Sequence, residues 1–279
     1  MVDDGAMNGR RMTGATQRTG SGAGETLVTG SKRETRLGTG KTDRERLFDD
    51  WAKHYDTAVG SAASGFPFDG YEQVLDAAVE SADAGPGLRV LDLGIGTGNL
   101  AARFVRQGCD VWGLDFSAEM LARAQAKWPQ VHLIQASLQA SLQASLQASL
   151  LDEWPTELPH PFDRIVSAYV LHEFDLATKI QMLWRAATHG LTPEGLIVVA
   201  DIAFPTADAR TKASRRWVDK WDPDEHYWAA DEAIAACAQA GLEATYRQVS
   251  SCGGVFAVRA NGTASLPGLS RTGRADSRP

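Results

Sequence analysis

Apolar and polar positions alternate along this 279-residue chain with two different periods. Short, nearly continuous apolar runs occur at Arg89–Leu93, Asp110–Leu114, Val131–Ile134, Asp163–Ala168, Gly195–Asp201, Glu243–Val249 and Gly254–Arg259, and these predict strands. Between the early runs lie Leu100–Gln107 and Ala118–Trp128, whose apolar residues recur every three to four positions and predict amphipathic helices. Strand, helix, strand at this rhythm implies crossover connections and a mainly parallel sheet covered on both faces. The last two runs are separated by only a few residues around Ser251–Gly254, which suits an antiparallel hairpin. The pattern thus predicts a doubly wound α/β domain with seven strands.

That pattern is confined to residues 45–261. Residues 1–44 are rich in Gly, Thr, Ser and Arg and poor in large apolar side chains, so they are expected to form a disordered tail. Within them, Gly38-Thr39-Gly40-Lys41-Thr42 has the look of a phosphate loop. The position five before the Gly-Lys pair is Thr35, however, and no apolar strand precedes it. Residues 262–279 are expected to form a second disordered tail. Residues 135–150 are four perfect copies of Gln-Ala-Ser-Leu, a tandem repeat read as a length-expanded surface insertion. In a helix its Leu138, Leu142, Leu146 and Leu150 would share one face.

Composition narrows the function. Apolar residues make up 43% and charged residues 23%, so a packed core is expected. The net charge of −7 argues against a nucleic-acid partner. No stretch approaches the ~20 apolar residues that span a bilayer, and Met1–Gln17 lacks the apolar centre of a secretory signal. Cys109, Cys237 and Cys252 are far apart and form no zinc-spaced cluster. They read as reduced thiols of a cytoplasmic protein, and no metal is expected.

The chemistry concentrates in Val90-Leu91-Asp92-Leu93-Gly94-Ile95-Gly96-Thr97-Gly98-Asn99-Leu100: a strand, a glycine-rich turn and a helix start. Glycines let a ligand approach the backbone, and the turn's free N–H groups face it. Dinucleotide sites use the spacing G-x-G-x-x-G, but here the spacing is G-x-G-x-G and Asn99 holds the dinucleotide position. Asp92 would also repel a pyrophosphate; it suits a cationic ligand carrying an ammonium and a sulfonium. The next strand ends in Asp115, placed to accept hydrogen bonds from two ribose hydroxyls. Phe116 and Met120 follow it with apolar surface for a purine face.

The strings DLGIGTGNL (92–100), GLDFSAEMLARA (113–124) and FDRIVSAYVLHEF (162–174) resemble the successive motifs of class I S-adenosylmethionine-dependent methyltransferases. The chain is most similar to bacterial YrrT-type methyltransferases, beginning at FDDWAKHYD (48–56), through ADIAF (200–204) and EHYW (225–228), to about Ala260. The resemblance implies a Rossmann-like α/β fold, doubly wound, with a mainly parallel seven-stranded sheet and an antiparallel terminal hairpin. It implies that S-adenosyl-L-methionine is held by Asp92, Gly94, Gly96 and Gly98 at its methionine end, by Asp115 at the ribose, and by Phe116 and Met120 at the adenine. Relatives commonly place an acidic residue near the adenine amino group. Here Ser137 occupies that place, with Ser149 as another register. Ser167 and Tyr55 complete the expected cofactor site, Tyr55 on a helix that closes over it. His172 and Tyr169, after the fourth strand, are the expected catalytic residues.

The expected acceptor is a small molecule. The alternatives are a methyltransferase acting on a macromolecule and an S-adenosylmethionine-binding protein without methyl transfer. A nucleotide-linked oxidoreductase is disfavoured by Asn99 and Asp92. Trp217, Trp221, Tyr227 and Trp228 read either as an aromatic lid or as packing, and nothing in the sequence sets the oligomeric state.

Overall fold

A computed structural model describes residues 43–61, 65–138, 155 and 157–261. Residues 1–42, the repeat segment 139–150 and 262–279 lie outside the described residues, and with them Ser149.

The helices α1 (Asp43–Ala52), α2 (Tyr55–Ser61) and α3 (Tyr71–Ala82) precede the first strand. There follow β1 (Arg89–Leu93), α4 (Ala101–Arg106), β2 (Asp110–Asp115), α5 (Ala118–Lys127), β3 (His132–Gln135) and β4 (Phe162–Ala168). A 3₁₀ turn, Leu171–Glu173, leads to α6 (Leu176–Arg185) and β5 (Leu191–Phe204). The chain ends with α7 (Ala207–Arg216), β6 (Trp228–Ala229), α8 (Ala230–Gln239), β7 (Leu242–Gln248) and β8 (Gly253–Ala260).

The strands run in the order β3-β2-β1-β4-β5-β8-β7. The pairs β1–β2, β2–β3, β1–β4 and β4–β5 are parallel, whereas β5–β8 and β7–β8 are antiparallel. All seven expected strands are present, and the terminal hairpin is where the short Ser251–Gly254 link predicts it. Sequence reasoning missed the two-residue β6, which pairs with the end of β5 at Ala203 and Phe204. It also began the fifth strand too late. The strand begins at Leu191 and passes through Thr192-Pro193-Glu194-Gly195 at a register shift opposite Phe162 and Arg164. An irregularity of this kind is where a proline is tolerated in a sheet.

Strand periodicity sorts the core into two layers. Val90, Val166, Val198, Ala200 and Ile202 face one cluster with Val74, Leu75 and Phe104 from the helices. Leu91, Leu93, Ile165, Ile197 and Val199 face the other with Met182, Leu183, Ala233 and Trp228. Each fully buried aliphatic side chain contributes about 1.5–3 kcal/mol, which fixes register, because a one-residue slip would exchange the two faces. Helix starts are set by side-chain caps. Ser117 accepts from the Met120 N–H at 3.2 Å, and Asp175 accepts from the Thr178 N–H at 2.7 Å. Among the described residues no helix is long and apolar enough to cross a membrane.

The chain winds outward from β1 through β2 to β3, then returns to place β4 on the other side of β1. The carboxyl ends of β1 and β4 flank this reversal, the position where open α/β sheets bind ligands.

Candidate active site

The turn after β1 carries three glycines with left-handed backbone: Gly94 (φ 74°), Gly96 (φ 53°) and Gly98 (φ 84°). They differ in what surrounds them. A Cβ on Gly94 would collide with Val170 Cγ2, and one on Gly98 would meet Trp128 Cδ1 at 3.0 Å. A Cβ on Gly96 would meet nothing within 4 Å. Gly94 and Gly98 are therefore required by packing, whereas Gly96 leaves an open face of backbone.

Asp92 is buried on β1, and its Oδ2 has no hydrogen-bond partner. Burial, reinforced by the charge of Asp115, pushes its carboxyl up to about 8. A buried carboxylate oxygen left unmatched costs stability unless a donor or cation meets it. At the end of β2, Asp115 Oδ2 accepts from the Gly96 N–H and Oδ1 from the Ser117 N–H, both at 2.9 Å. Burial raises the Asp115 carboxyl, and the backbone donors offset part of that rise. Each of these oxygens keeps a second lone pair. Met120 is buried, and the Phe116 ring packs edge-on against Phe48 of α1, 5.0 Å between centroids. Ser137 is half-buried just beyond β3.

The N-terminal helices close on this turn. Ser117 Oγ donates to Asp49 of α1 at 2.6 Å. Asp56 of α2 accepts from Thr97 Oγ1 at 2.6 Å, from Lys127 Nζ at 2.9 Å and from Asn99 Nδ2 at 3.1 Å. Burial opposes the Asp56 charge, but these donors outweigh it and hold the carboxyl below its ordinary value. Tyr55 lies beside them, its ring 4.9 Å from Trp51. Burial, then the neighbouring Tyr71, raise its phenol well above the ordinary value. Asp49, Asp56, Thr97 and Lys127 were given no role from the sequence, because the partners they meet here are distant along the chain.

After β4 the expected residues part company. Ser167 Oγ donates to the Leu93 carbonyl at 2.8 Å, tying β4 to β1. Tyr169 has a left-handed backbone (φ 55°), an outlier for a bulky residue. Its ring packs against Tyr71 and Phe68, with centroids 5.1 and 5.5 Å away, and its buried hydroxyl has no partner.

His172 turns instead toward β5. Its Nδ1 is 2.6 Å from Asp201 Oδ1, and its backbone N–H donates to Asp201 Oδ2 at 2.9 Å. Trp228 Nε1 also donates to Asp201 Oδ2, at 3.0 Å. His172 Nε2 faces Glu225 Oε1 at 3.8 Å. Burial works against the imidazolium, but Asp201, then Glu225 and Glu173, raise the ring to about 9. The same contact with His172 overcomes burial and lowers Asp201. A lone carboxylate in the apolar run Leu196–Phe204 was the available signal for Asp201. Glu225 gave none.

The aromatic segment after β5 splits in two. Phe66 stacks between Trp217 and Trp221 at 5.0 and 5.5 Å, with Tyr227 edge-on to Trp221 at 4.5 Å. Trp228 lies on β6 beneath Lys179, whose ammonium is 4.2 Å from the ring centroid.

Residues 90–195 match a family model described as a methyltransferase domain. An uncharacterized methyltransferase of Oceanobacillus iheyensis is 30% identical over 166 residues, 59% of this chain and 69% of that protein. One from Geobacillus kaustophilus is 30% identical over 211 residues, 72% of this chain and 90% of that protein. Among solved structures, the magnesium protoporphyrin IX methyltransferase of Synechocystis PCC 6803 with bound SAH superposes with a TM-score of 0.55 at 15% identity. That match covers 78% of this chain and all of the other, and it shows a common fold.

Proposed function

The chain belongs to the class I S-adenosylmethionine-dependent methyltransferases, and we propose that it passes the cofactor's methyl group to a small-molecule acceptor. The observation that carries the site assignment is the unmatched, buried Asp92 Oδ2 beside the open backbone of Gly96, at the reversal of strand order. A ligand with an ammonium group supplies the charge that this oxygen lacks.

In this reading Asp92 holds the cofactor's ammonium, and Gly94, Gly96 and Gly98 let its methionine end lie against the backbone. Asp115 uses its spare lone pairs on the ribose hydroxyls. Phe116 and Met120 flank the adenine, and the Ser137 hydroxyl reaches the adenine edge. Ser167 keeps β4 at its spacing from β1. Tyr55 rides on the helix that covers the site. Bound there, S-adenosylmethionine supplies a methyl already activated on a sulfonium. The chain's contribution is then mainly in-line positioning and exclusion of water. Tyr169 and His172 stand on the acceptor side, Tyr169 as a wall with an available hydroxyl. His172 relieves a hydroxyl acceptor of its proton only after its own ring, raised to about 9, has lost one, so that duty grows as pH rises toward 9. The three cysteines are free, in keeping with a reducing, cytoplasmic setting.

The test is transfer of labelled methyl from S-adenosylmethionine to a panel of small thiols, phenols and amines, run beside total protein and nucleic acid. Label in a small product supports the reading. Label only in macromolecules, or none despite cofactor binding, favours the alternatives.

A further inference from the structure

His172, Glu173 and Glu225 offer one ring nitrogen and two carboxylate oxygens that all lie within 4.8 Å of one another. Two of them come from the turn after β4. Glu225 returns from 52 residues further along the chain, so no sequence spacing could reveal the group. We propose that these three side chains bind a divalent first-row transition-metal ion.

The orientation of His172 carries the argument. Asp201 accepts from the backbone N–H groups of His172 and Ile202 and from Trp228 Nε1, so it is also the acceptor in the 2.6 Å contact, and the Nδ1 proton points to it. Nε2 faces Glu225, and an ion bound there displaces the proton that the ring, raised to about 9, otherwise carries on it. Histidines that bind metals are typically held in this way, with a carboxylate on the far nitrogen fixing tautomer and direction. Asp201 is itself fixed by Trp228 Nε1 and by two backbone N–H groups, those of His172 and Ile202. Glu225 is an independent pointer to a ligand. Its side chain is only 9% exposed, and its buried Oε2 has no partner.

Distance and charge agree. The Nε2–Oε1 separation of 3.8 Å is too long for a hydrogen bond. Donors about 2.1 Å from a shared ion lie roughly 3.0–3.4 Å apart, so a shift of a few tenths of an ångström completes the pair. Glu173 and Glu225 bring carboxylate oxygens within 4.8 Å of the His172 ligand nitrogen, and Asp201 holds the other ring nitrogen. Carboxylates thus outnumber cations around Nε2. One imidazole with carboxylates and no thiolate favours Zn²⁺, Mn²⁺ or Co²⁺ over Cu⁺ and over Mg²⁺ held by oxygen alone. An ion on Nε2 takes the lone pair that a base needs. In the loaded protein, the acceptor-side duty of His172 is therefore exercised through the ion. The site is read by metal binding itself, apart from methyl transfer.

The experiment titrates Co²⁺ into the full-length chain after removal of metal by a chelator. The expected result is one Co²⁺ per chain, displaced by Zn²⁺ and not by equimolar Mg²⁺. Proton spectra should show one shifted imidazole N–H that disappears in D₂O. Glu225→Gln and His172→Gln should each weaken binding by ~10²-fold or more, and Asp201→Asn by about 10–100-fold. Melting and S-adenosylhomocysteine binding in each variant report that the fold and the glycine turn are intact. Failure of the wild-type chain to take up Co²⁺ overturns the proposal. So does equal binding by folded Glu225→Gln, displacement by equimolar Mg²⁺, or a wild-type spectrum lacking the imidazole signal. Should a variant fail to fold, the wild-type spectrum decides.

Discussion

Asp56 accepts a hydrogen bond from Thr97 at 2.6 Å, joining a short N-terminal helix to the glycine turn 41 residues away. Asn99 and Lys127 donate to the same carboxylate, so α2 is latched to the loop it covers. Asp56 is partly exposed, and solvent screening limits the latch to about 1 kcal/mol. Asp56→Ala should therefore speed dissociation of S-adenosylhomocysteine roughly fivefold while leaving the melting temperature within a few degrees. Stopped-flow displacement reads this directly. An unchanged dissociation rate would mean that α2 does not cover the cofactor.

The glycines of the turn should respond differently to the same change. Gly94→Ala drives a methyl group into Val170 and adds left-handed strain, so it should destabilise the fold by a few kcal/mol. Gly96→Ala carries only the strain, about 1–2 kcal/mol, yet it fills the open face and should weaken cofactor binding at least tenfold. Denaturant unfolding and calorimetric titration of both variants check the contrast. Equal instability with equal binding loss would remove the reason for singling out Gly96.

Much of this turn was legible from the sequence, because β1, the glycines and Asp115 are local. An apolar run, residues that favour left-handed backbone and a strand-ending carboxylate lie within 27 residues of one another. The latch, the His172–Asp201 contact and the approach of Glu225 were not legible. Each joins residues whose meeting depends on how the sheet reverses at β4 and how α1 and α2 fold back. β6 is only Trp228–Ala229, too short for any periodicity, and it exists because Ala203 and Phe204 at the end of β5 offer an edge. Tyr169 was read as a catalytic residue from its place after β4. The structure adds its left-handed backbone and unpartnered hydroxyl, which no spacing predicts.

Asp92 should make both stability and binding depend on pH. Its folded-state carboxyl is raised to about 8 by burial and by Asp115, against about 4 in the unfolded chain. Between these values the folded protein holds a proton that the unfolded chain has released. The contribution of Asp92 to stability is therefore fully present below about pH 4 and is lost as pH rises to 8. Relative to Asp92→Asn, the wild type should lose stability across that window and level off above it. Holding an ammonium requires the ionised form, so wild-type affinity for S-adenosylhomocysteine should rise with pH by up to about tenfold per unit below 8. Binding should release a proton, and Asp92→Asn should bind weakly at every pH. Melting curves and titrations from pH 5 to 9 test both slopes. A flat wild-type profile would contradict the assignment.

Asp115→Ala removes two charge-assisted acceptors from the ribose position, worth roughly 2–4 kcal/mol of cofactor affinity. It also frees the Gly96 N–H, now held at 2.9 Å. Calorimetry should show binding weakened by at least thirtyfold. Unchanged affinity would move the ribose elsewhere.

The most direct test of the whole account is a calorimetric titration of S-adenosylhomocysteine into the wild-type chain and into Gly96→Val, with NAD as the competing ligand class. The account predicts one S-adenosylhomocysteine site per chain, loss of that site in a Gly96→Val protein that still melts cooperatively, and no heat from NAD. Undiminished binding by Gly96→Val, or saturable binding of NAD by the wild type, would contradict it.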